Sequence, residues 1–334
     1  MSASQPRLID IHSHFVPADF PAAPDAATAP RWPCMCHQGG GAATLNMGDK
    51  PFRKIDSRSW DLERRIADMD ADGVTVQVLS PMPELLSYWL DPHATIELAT
   101  HVNGAIAEVV ARRSDRFWGL AMVPLQDVAS AVAALPRIKA DGFRGIELGS
   151  NINGRYLGEA EFEPLFAAAA DLDLAIFVHA LHPLQAPQVA SYPDLVPFAG
   201  FITDTGLCAA TLIMSGVLER HPRLRIGLSH GGGVLGPIVH RMEQGWRLTE
   251  GFGGKLATPP KDIAARFFVD SLVYDAGYAR HLSSVVPGHI CLGTDYPYLI
   301  MQTAPRVYIA SVADGDADTI WSSAAEQFLQ LPPP

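Results

Sequence analysis

Two histidines one residue apart, His12 and His14 in the run LIDIHSHFVP, bring to the start of the chain the imidazole nitrogens that bind divalent metal ions. Alternate residues of a β-strand share a face, so the two rings can point at one ion together. An H-x-H pair also occurs by chance, and its meaning depends on donors supplied by other strands. His179 near the end of LAIFVHA, His230 in RIGLSHG and Asp295 in ICLGTDY supply such groups. His12, His14, His179 and Asp295 suit one divalent ion: zinc first, manganese or another transition metal otherwise, with a position left open for substrate. Taken singly, a strand-end histidine such as His179 is more often a hydrogen-bonded structural residue, and the Asp of GTDYP could be a turn cap. Their shared place at strand ends argues for a metal centre.

The elements that must position these residues follow from periodicity. Eight short β-type runs recur: 8–14, 74–80, 117–123, 143–149, 174–180, 225–231, 266–271 and 290–296. Between them lie stretches with helical spacing, such as LERRIADMDADG and DVASAVAALPRIKADG. Strand and helix in alternation imply βα units and a parallel sheet. Eight units predict an α/β fold of the (β/α)8 TIM-barrel kind, somewhat distorted, with residues 1–334 as one domain. A doubly wound sheet is the runner-up, but no glycine-rich dinucleotide turn follows the first strand. Barrels carry their chemistry at the C-terminal ends of strands, where the five residues above fall.

One connection is abnormally long. Residues 15–59 are rich in Pro, Gly and Ala without sustained periodicity, and leave the end of the first strand, which predicts an insertion or lid over the active site. Within it, CMCH at 34–37 offers too few donors at too short a spacing for a second metal site and reads as loop. Composition bounds the rest. With 48% hydrophobic residues, 18% charged residues and net charge −11, the chain can build a large core but has no basic face for nucleic acid or an anionic membrane. No stretch approaches twenty uninterrupted apolar residues and the first residues lack an apolar leader, so a cytoplasmic location is expected. Four cysteines in 334 residues read as reduced thiols.

The motifs IDIHSHFVP, FVHA, LSHGGG, RFFVDS and LGTDYP, with NMGDKPFR in the insertion, MDADGVTVQVLS and VPLQD, resemble the amidohydrolase superfamily in order and across most of the chain. The resemblance is to the branch typified by aminocarboxymuconate-semialdehyde decarboxylase. It implies that His12, His14, His179 and Asp295 are the ligands of a single metal ion and that His230 is a general base. It further implies that Arg53 binds a substrate carboxylate, and that Arg241 does so from the neighbouring subunit of a homodimer. Without it neither arginine stands out from solvated surface charge. The chain departs from the branch after His179, where ALHPLQAPQVASYP lacks the bulky tryptophan expected there, and Glu147 in the fourth strand rules out a carbamylated-lysine bridge.

The implied reaction is metal-dependent decarboxylation of an unsaturated or aromatic carboxylic acid, of the aminocarboxymuconate-semialdehyde or hydroxybenzoate type. In it the arginines hold the carboxylate, His230 acts as base and Asp295 delivers a proton to carbon. The same residues could instead run a hydrolase or hydratase acting on a ring-fission acid, lactone or amide. The substrate in either case is a small carboxylic acid.

Overall fold

In the computed structural model, which describes residues 7–312 and 322–332, each of the eight β-type runs contributes a strand to one parallel sheet. In chain order, β1 (Ile9–Phe15) precedes three strands of the long insertion, β2 (Pro33–Gly39), β3 (Ala42–Met47) and β4 (Lys50–Asp56). Then come β5 (Val76–Pro81), β6 (Phe117–Ala121) and β7 (Gly145–Gly149), and a short hairpin of β8 (Asn151–Ile152) and β9 (Arg155–Tyr156). The series ends with β10 (Ala175–His179), β11 (Ile226–Leu228), β12 (Phe268–Asp270) and β13 (Ile290–Cys291). The sheet order is β1-β5-β6-β7-β10-β11-β12-β13. Main-chain bonds from Ile11 N to Leu292 O (2.9 Å), His14 N to Tyr296 O (2.8 Å) and Asp295 N to His12 O (2.9 Å) tie the last strand region back to β1. The result is a distorted (β/α)8 barrel whose closing seam runs through three of the site residues.

Helices cross between the parallel strands, and their sequences carry their own limits. The helix Leu62–Asp72 starts where the Asp61 carboxylate accepts from Glu63 N and Arg64 N, and ends at Gly73, whose φ of +71° ordinary residues avoid. Leu62, Arg65, Ile66 and Met69, spaced for one face, are buried. Arg65 shows what that face is for. Its Nη1 donates to Gln77 Oε1 (3.0 Å) and its Nη2 to the carbonyls of His14 (2.6 Å) and Arg58 (2.9 Å). Burial lowers this guanidinium to about 10, which leaves it charged at pH 7. It therefore braces the main chain at His14 from outside the barrel.

The barrel interior is apolar at its lower end. Ile9, Ile11, Val76, Val78, Leu120, Ala175, Phe177, Phe268 and Cys291 form one buried cluster with residues of the C-terminal helix Ala324–Leu329. Phe328 plugs this end: its ring lies 5.2 Å from that of Phe268 and 6.5 Å from that of Phe177. Gly227 makes room for it, since a Cβ there would sit 2.6 Å from Phe328 Cζ. Alternation along a strand then carries the next inward residue toward the upper end, as Phe177 is followed two positions later by His179 and Phe268 by Asp270.

Two sequence expectations need correction. Part of the 15–59 segment, including CMCH, forms an antiparallel sheet of β2, β3 and β4, docked through Trp32 and Leu45 into the main core. Most residues of β2 and β4 are exposed or half-buried, so the segment shows no two-residue alternation to read. Among the described residues, one helix, Val196–Ser215, is also long and apolar enough by length and composition to cross a membrane. Its Asp204, Cys208, Ala209, Leu212 and Ile213 are buried within the protein, as in a core helix.

Replacing Phe328 by Ala is expected to lower the unfolding free energy by about 3–5 kcal/mol, as for other buried aromatics. A urea titration that finds a loss under about 1 kcal/mol would show that the ring does not plug the barrel.

Candidate metal centre

Strand β1 reaches the centre through an irregularity. Ile9 pairs with Val76 and Asp10 with Gln77, but Ser13 pairs with Leu79, so β1 carries one extra residue between Asp10 and Ser13. With strict alternation, Ile9 and Ile11 inward would turn His12 and His14 outward. The bulge resets the phase and directs both imidazoles into the barrel, where the His12 ring lies 5.2 Å from Phe177 and 5.0 Å from His179. Asp10, on the outer side, holds the bulge by accepting from His12 N (3.1 Å), Gln77 Nε2 (3.2 Å), Thr294 N (3.0 Å) and Thr294 Oγ1 (2.6 Å). Gly293 completes the fit, because a Cβ there would come within 2.6 Å of Asp270 Cβ and 2.9 Å of His12 Cβ.

His12, His14, His179 and Asp295 are all buried, and one donor atom from each lies within 4.8 Å of the others. His12 Nε2 is 3.0 Å from His14 Nε2 and 3.5 Å from Asp295 Oδ1, and His14 Nε2 is 3.1 Å from the same oxygen. An ion bonded at about 2.1 Å has donor–donor edges of about 3.0 Å in octahedral and about 3.4 Å in tetrahedral geometry, which these separations match. The tautomers agree. His12 Nδ1 donates to Asp270 Oδ2 (2.6 Å), His14 Nδ1 to Pro81 O (3.3 Å) and His179 Nδ1 to Ala180 O (2.8 Å). Each outer bond leaves a lone pair on Nε2, and His179 Nε2 is buried with no hydrogen-bond partner among the described residues. Lone pairs facing one another across 3.0 Å need a positive charge between them.

Electrostatics give the same answer. Burial opposes a charge on His12, but Asp270 and Asp295 outweigh it and raise the ring to about 9. Burial and the charge of His12 lower His14, while burial and the neighbouring histidines hold His179 well below its ordinary value. Against its own burial, Asp295 is kept low by His14, His12 and His230. The cluster thus retains positive charge on His12 despite full burial, and a divalent cation supplies that charge without protonating a ligand.

His230 stands beside this cluster, its ring centre 5.0 Å from His179 and 5.4 Å from His12. Burial, then the charge of His12, lowers it to about 4, so the imidazole is neutral at pH 7 and can accept a proton. Its backbone is left-handed at φ +55°, as is that of Asp295 at +61°, an uncommon conformation outside glycine. Asp270 holds it there: Oδ2 accepts from His230 N (2.8 Å) and Oδ1 from Gly231 N (2.7 Å) and Leu272 N (3.0 Å). One carboxylate therefore sets both a ligand histidine and the candidate base. Asp270 carries no sequence signal beyond its place two residues after inward-facing Phe268.

A cavity of about 680 Å³ opens above the cluster and reaches His179, His230 and Asp295. Its wall is mostly apolar, with Arg53 at one side. Arg53 comes from β4 of the insertion, bonds Glu84 Oε1 through Nη2 (3.0 Å) and packs over the Tyr298 ring at 4.7 Å. Tyr298 in turn stacks on His14 at 4.9 Å. One bond to Glu84 leaves most of the five N–H donors of the guanidinium for a ligand. Arg241 lies elsewhere. It is exposed on the helix Leu235–Leu248 and lines no cavity that contains the cluster. Glu147 points inward from β7, buried, with neither carboxylate oxygen hydrogen-bonded among the described residues, and burial raises it to about 8.

The segment after His179, where the sequence departs from its resemblance, is fixed by a buried polar clamp. Asn151 Nδ2 donates to Leu181 O (2.8 Å), and Leu181 N donates to Ser150 Oγ (3.2 Å). Asp204 joins them, accepting from Ser150 Oγ, Asn151 Nδ2 (3.1 Å), Tyr156 OH (2.9 Å) and Leu184 N (3.1 Å). These residues set the cavity wall at 181–184, and Ser150 N also donates to His179 O (2.7 Å), but nothing in their spacing marks them in the sequence.

Residues 9–312 match the family described as amidohydrolase. The chain is 31% identical to a 2-amino-3-carboxymuconate-6-semialdehyde decarboxylase of Dictyostelium discoideum, over 97% of this chain and 92% of that protein. Among solved structures it is similar to 5-carboxyvanillate decarboxylase from Sphingomonas paucimobilis, at 25% identity and a TM-score of 0.83, covering 98% and 99% of the two chains. A 5-carboxyvanillate decarboxylase from Novosphingobium aromaticivorans, complexed with manganese and a hydroxy-methoxy-nitrobenzoic acid, is similar at 26% identity and a TM-score of 0.73, over 82% of each chain.

Asp270→Asn should keep the fold and lower divalent-metal affinity about 10- to 100-fold, because His12 loses the acceptor that fixes its tautomer. Titration of the metal-stripped protein checks this, and unchanged affinity would show that Asp270 does not set the ligand.

Proposed function

The chain belongs to the amidohydrolase family, and on that premise we propose that it is a metal-dependent decarboxylase of an unsaturated or aromatic carboxylic acid. The observation that carries the reading is one cavity joining a carboxylate-seeking arginine, a four-donor metal centre and a neutral buried histidine. The named similarities to an aminocarboxymuconate-semialdehyde decarboxylase and to 5-carboxyvanillate decarboxylases support it.

His12, His14, His179 and Asp295 would hold the ion, which supplies Lewis acidity toward substrate oxygens when bound. Arg53 binds the carboxylate through its free N–H groups, held in place by Glu84 and Tyr298. The mostly apolar wall lowers the polarity around that ion pair and strengthens it. His230, neutral beforehand, takes the proton of a substrate hydroxyl. Asp295 starts ionised, so the proton it carries to the carboxylate-bearing carbon is the one His230 has taken from the hydroxyl and passed on, and the product oxygen regains a proton from water on release. That carbon becomes tetrahedral, its bond to the carboxylate breaks, the electron pair restores conjugation, and carbon dioxide leaves.

Three finer readings go with this. Three imidazoles and one carboxylate favour zinc, while the manganese of the Novosphingobium relative supports manganese as the other choice. A homodimer in which Arg241 reaches the partner's site accounts for an exposed arginine that lines no part of its own. Four free cysteines, two of them exposed, fit a reducing, cytoplasmic compartment.

Metal-loaded protein incubated with hydroxybenzoates and muconate semialdehydes should release carbon dioxide from at least one of them, and His230→Ala should abolish this with metal content unchanged. Turnover of lactones or amides without gas would establish the hydrolase instead. For the dimer, mixing Arg53→Ala with Arg241→Ala chains should restore up to about a quarter of wild-type turnover. Half of randomly paired dimers are mixed, and each holds one intact site. No recovery would place Arg241 outside the site.

A further inference from the structure

Next to the metal-centre cavity lies a second one of about 670 Å³. Pro197, Phe198, His230 and Ile300 line both, so the two meet at the candidate base. Their chemistry differs. The second cavity contains no arginine, lysine or carboxylate in its lining, and its wall is built from residues such as Ile202, Val234, Leu272, Val273 and Met301. The hydroxyls of its two tyrosines are already engaged: Tyr274 OH donates to Ile300 O (2.7 Å) and Tyr278 OH to Gly233 O (3.1 Å). The nearby main chain is also engaged, Gly233 N with His230 O (2.9 Å) and Val234 N with Ile202 O (3.1 Å). A polar or charged group entering here would lose its water and gain few partners, whereas an apolar one would lose nothing.

We propose that this second chamber is a substrate subsite for an apolar substituent of several carbons, carried on the acid whose reacting end lies at the metal centre. The substrate class is thereby narrowed to a hydroxylated aromatic acid with an alkyl or aryl extension, and away from a compact polar semialdehyde. The assignment rests on the decarboxylase reading for the reacting end, but the subsite is defined by its own wall. His230 sits at the junction, so a ring held over the metal centre extends past the base into the chamber.

The test is a series of hydroxybenzoates bearing hydrogen, methyl, propyl or pentyl groups, and the matching alkylresorcinols, which have no carboxylate to lose. Binding of the alkylresorcinols to the metal-loaded protein, read by calorimetry, should tighten with each methylene by up to about fourfold. The kcat/KM of the acids should climb in parallel. Ile202→Trp, which fills the chamber away from the metal centre, should flatten both series, so that the pentyl-to-unsubstituted ratio of affinity and of kcat/KM falls toward one. Met301→Trp serves if the first variant does not fold. Flat binding along the resorcinol series in wild-type protein, as when another subunit closes the chamber, overturns the subsite. Tightening that the tryptophan variants leave intact overturns it as well. A rising resorcinol series without carbon dioxide release from any acid overturns the decarboxylase reading and leaves the subsite standing.

Discussion

The constraint on which this structure turns is the concentration of like-directed donors in a dry space. Three imidazole Nε2 atoms and a carboxylate oxygen lie within 4.8 Å of one another, cut off from solvent on the barrel side. Such an arrangement is costly unless a positive charge occupies it. The fold supplies acceptors behind each ring, from Asp270, Pro81 O and Ala180 O, and these prevent the imidazoles from turning to solve the problem among themselves. Arg65 and Asp10 then brace the main chain from outside, so the strain falls on the site and not on the strands.

The same economy of parts explains Asp270. A single buried carboxylate fixes the tautomer of His12 and bends the backbone at His230, which couples metal affinity to the placement of the base. The cavity divides its labour similarly: the insertion brings the arginine in its lining, Arg53, while the barrel brings the ligands.

Much of this was legible in the sequence because it depends on local pattern. Eight apolar runs at helix-spaced intervals announce the barrel, and His12, His14, His179, His230 and Asp295 advertise their chemistry by residue type. What could not be read depends on geometry between distant segments. The bulge in β1 leaves no mark in the letters, yet without it Ile11 inward would mean His12 outward. The β2–β4 sheet hid because β2 and β4 are largely exposed or half-buried and β3 buries three consecutive residues, so none of the three carries an alternation. Asp270 is one more aspartate at a strand end until its four partners are seen. Asp204 escaped notice because an acid inside an apolar helix looks like a surface residue until Ser150, Asn151, Tyr156 and Leu184 are found around it.

The closing seam has a consequence for how the protein comes into being. His12 belongs to the first barrel strand and Asp295 follows the last, and main-chain bonds between these segments shut the barrel at the site itself. A chain growing on the ribosome therefore has its first two donors early and its last only after nearly all of the barrel has emerged. Joining segments so far apart carries a large loop-closure entropy, which the intervening strands must first offset by folding. Metal capture with the full set of donors is thus a late event in biogenesis, and the ion, once held, fastens the beginning of the barrel to its end.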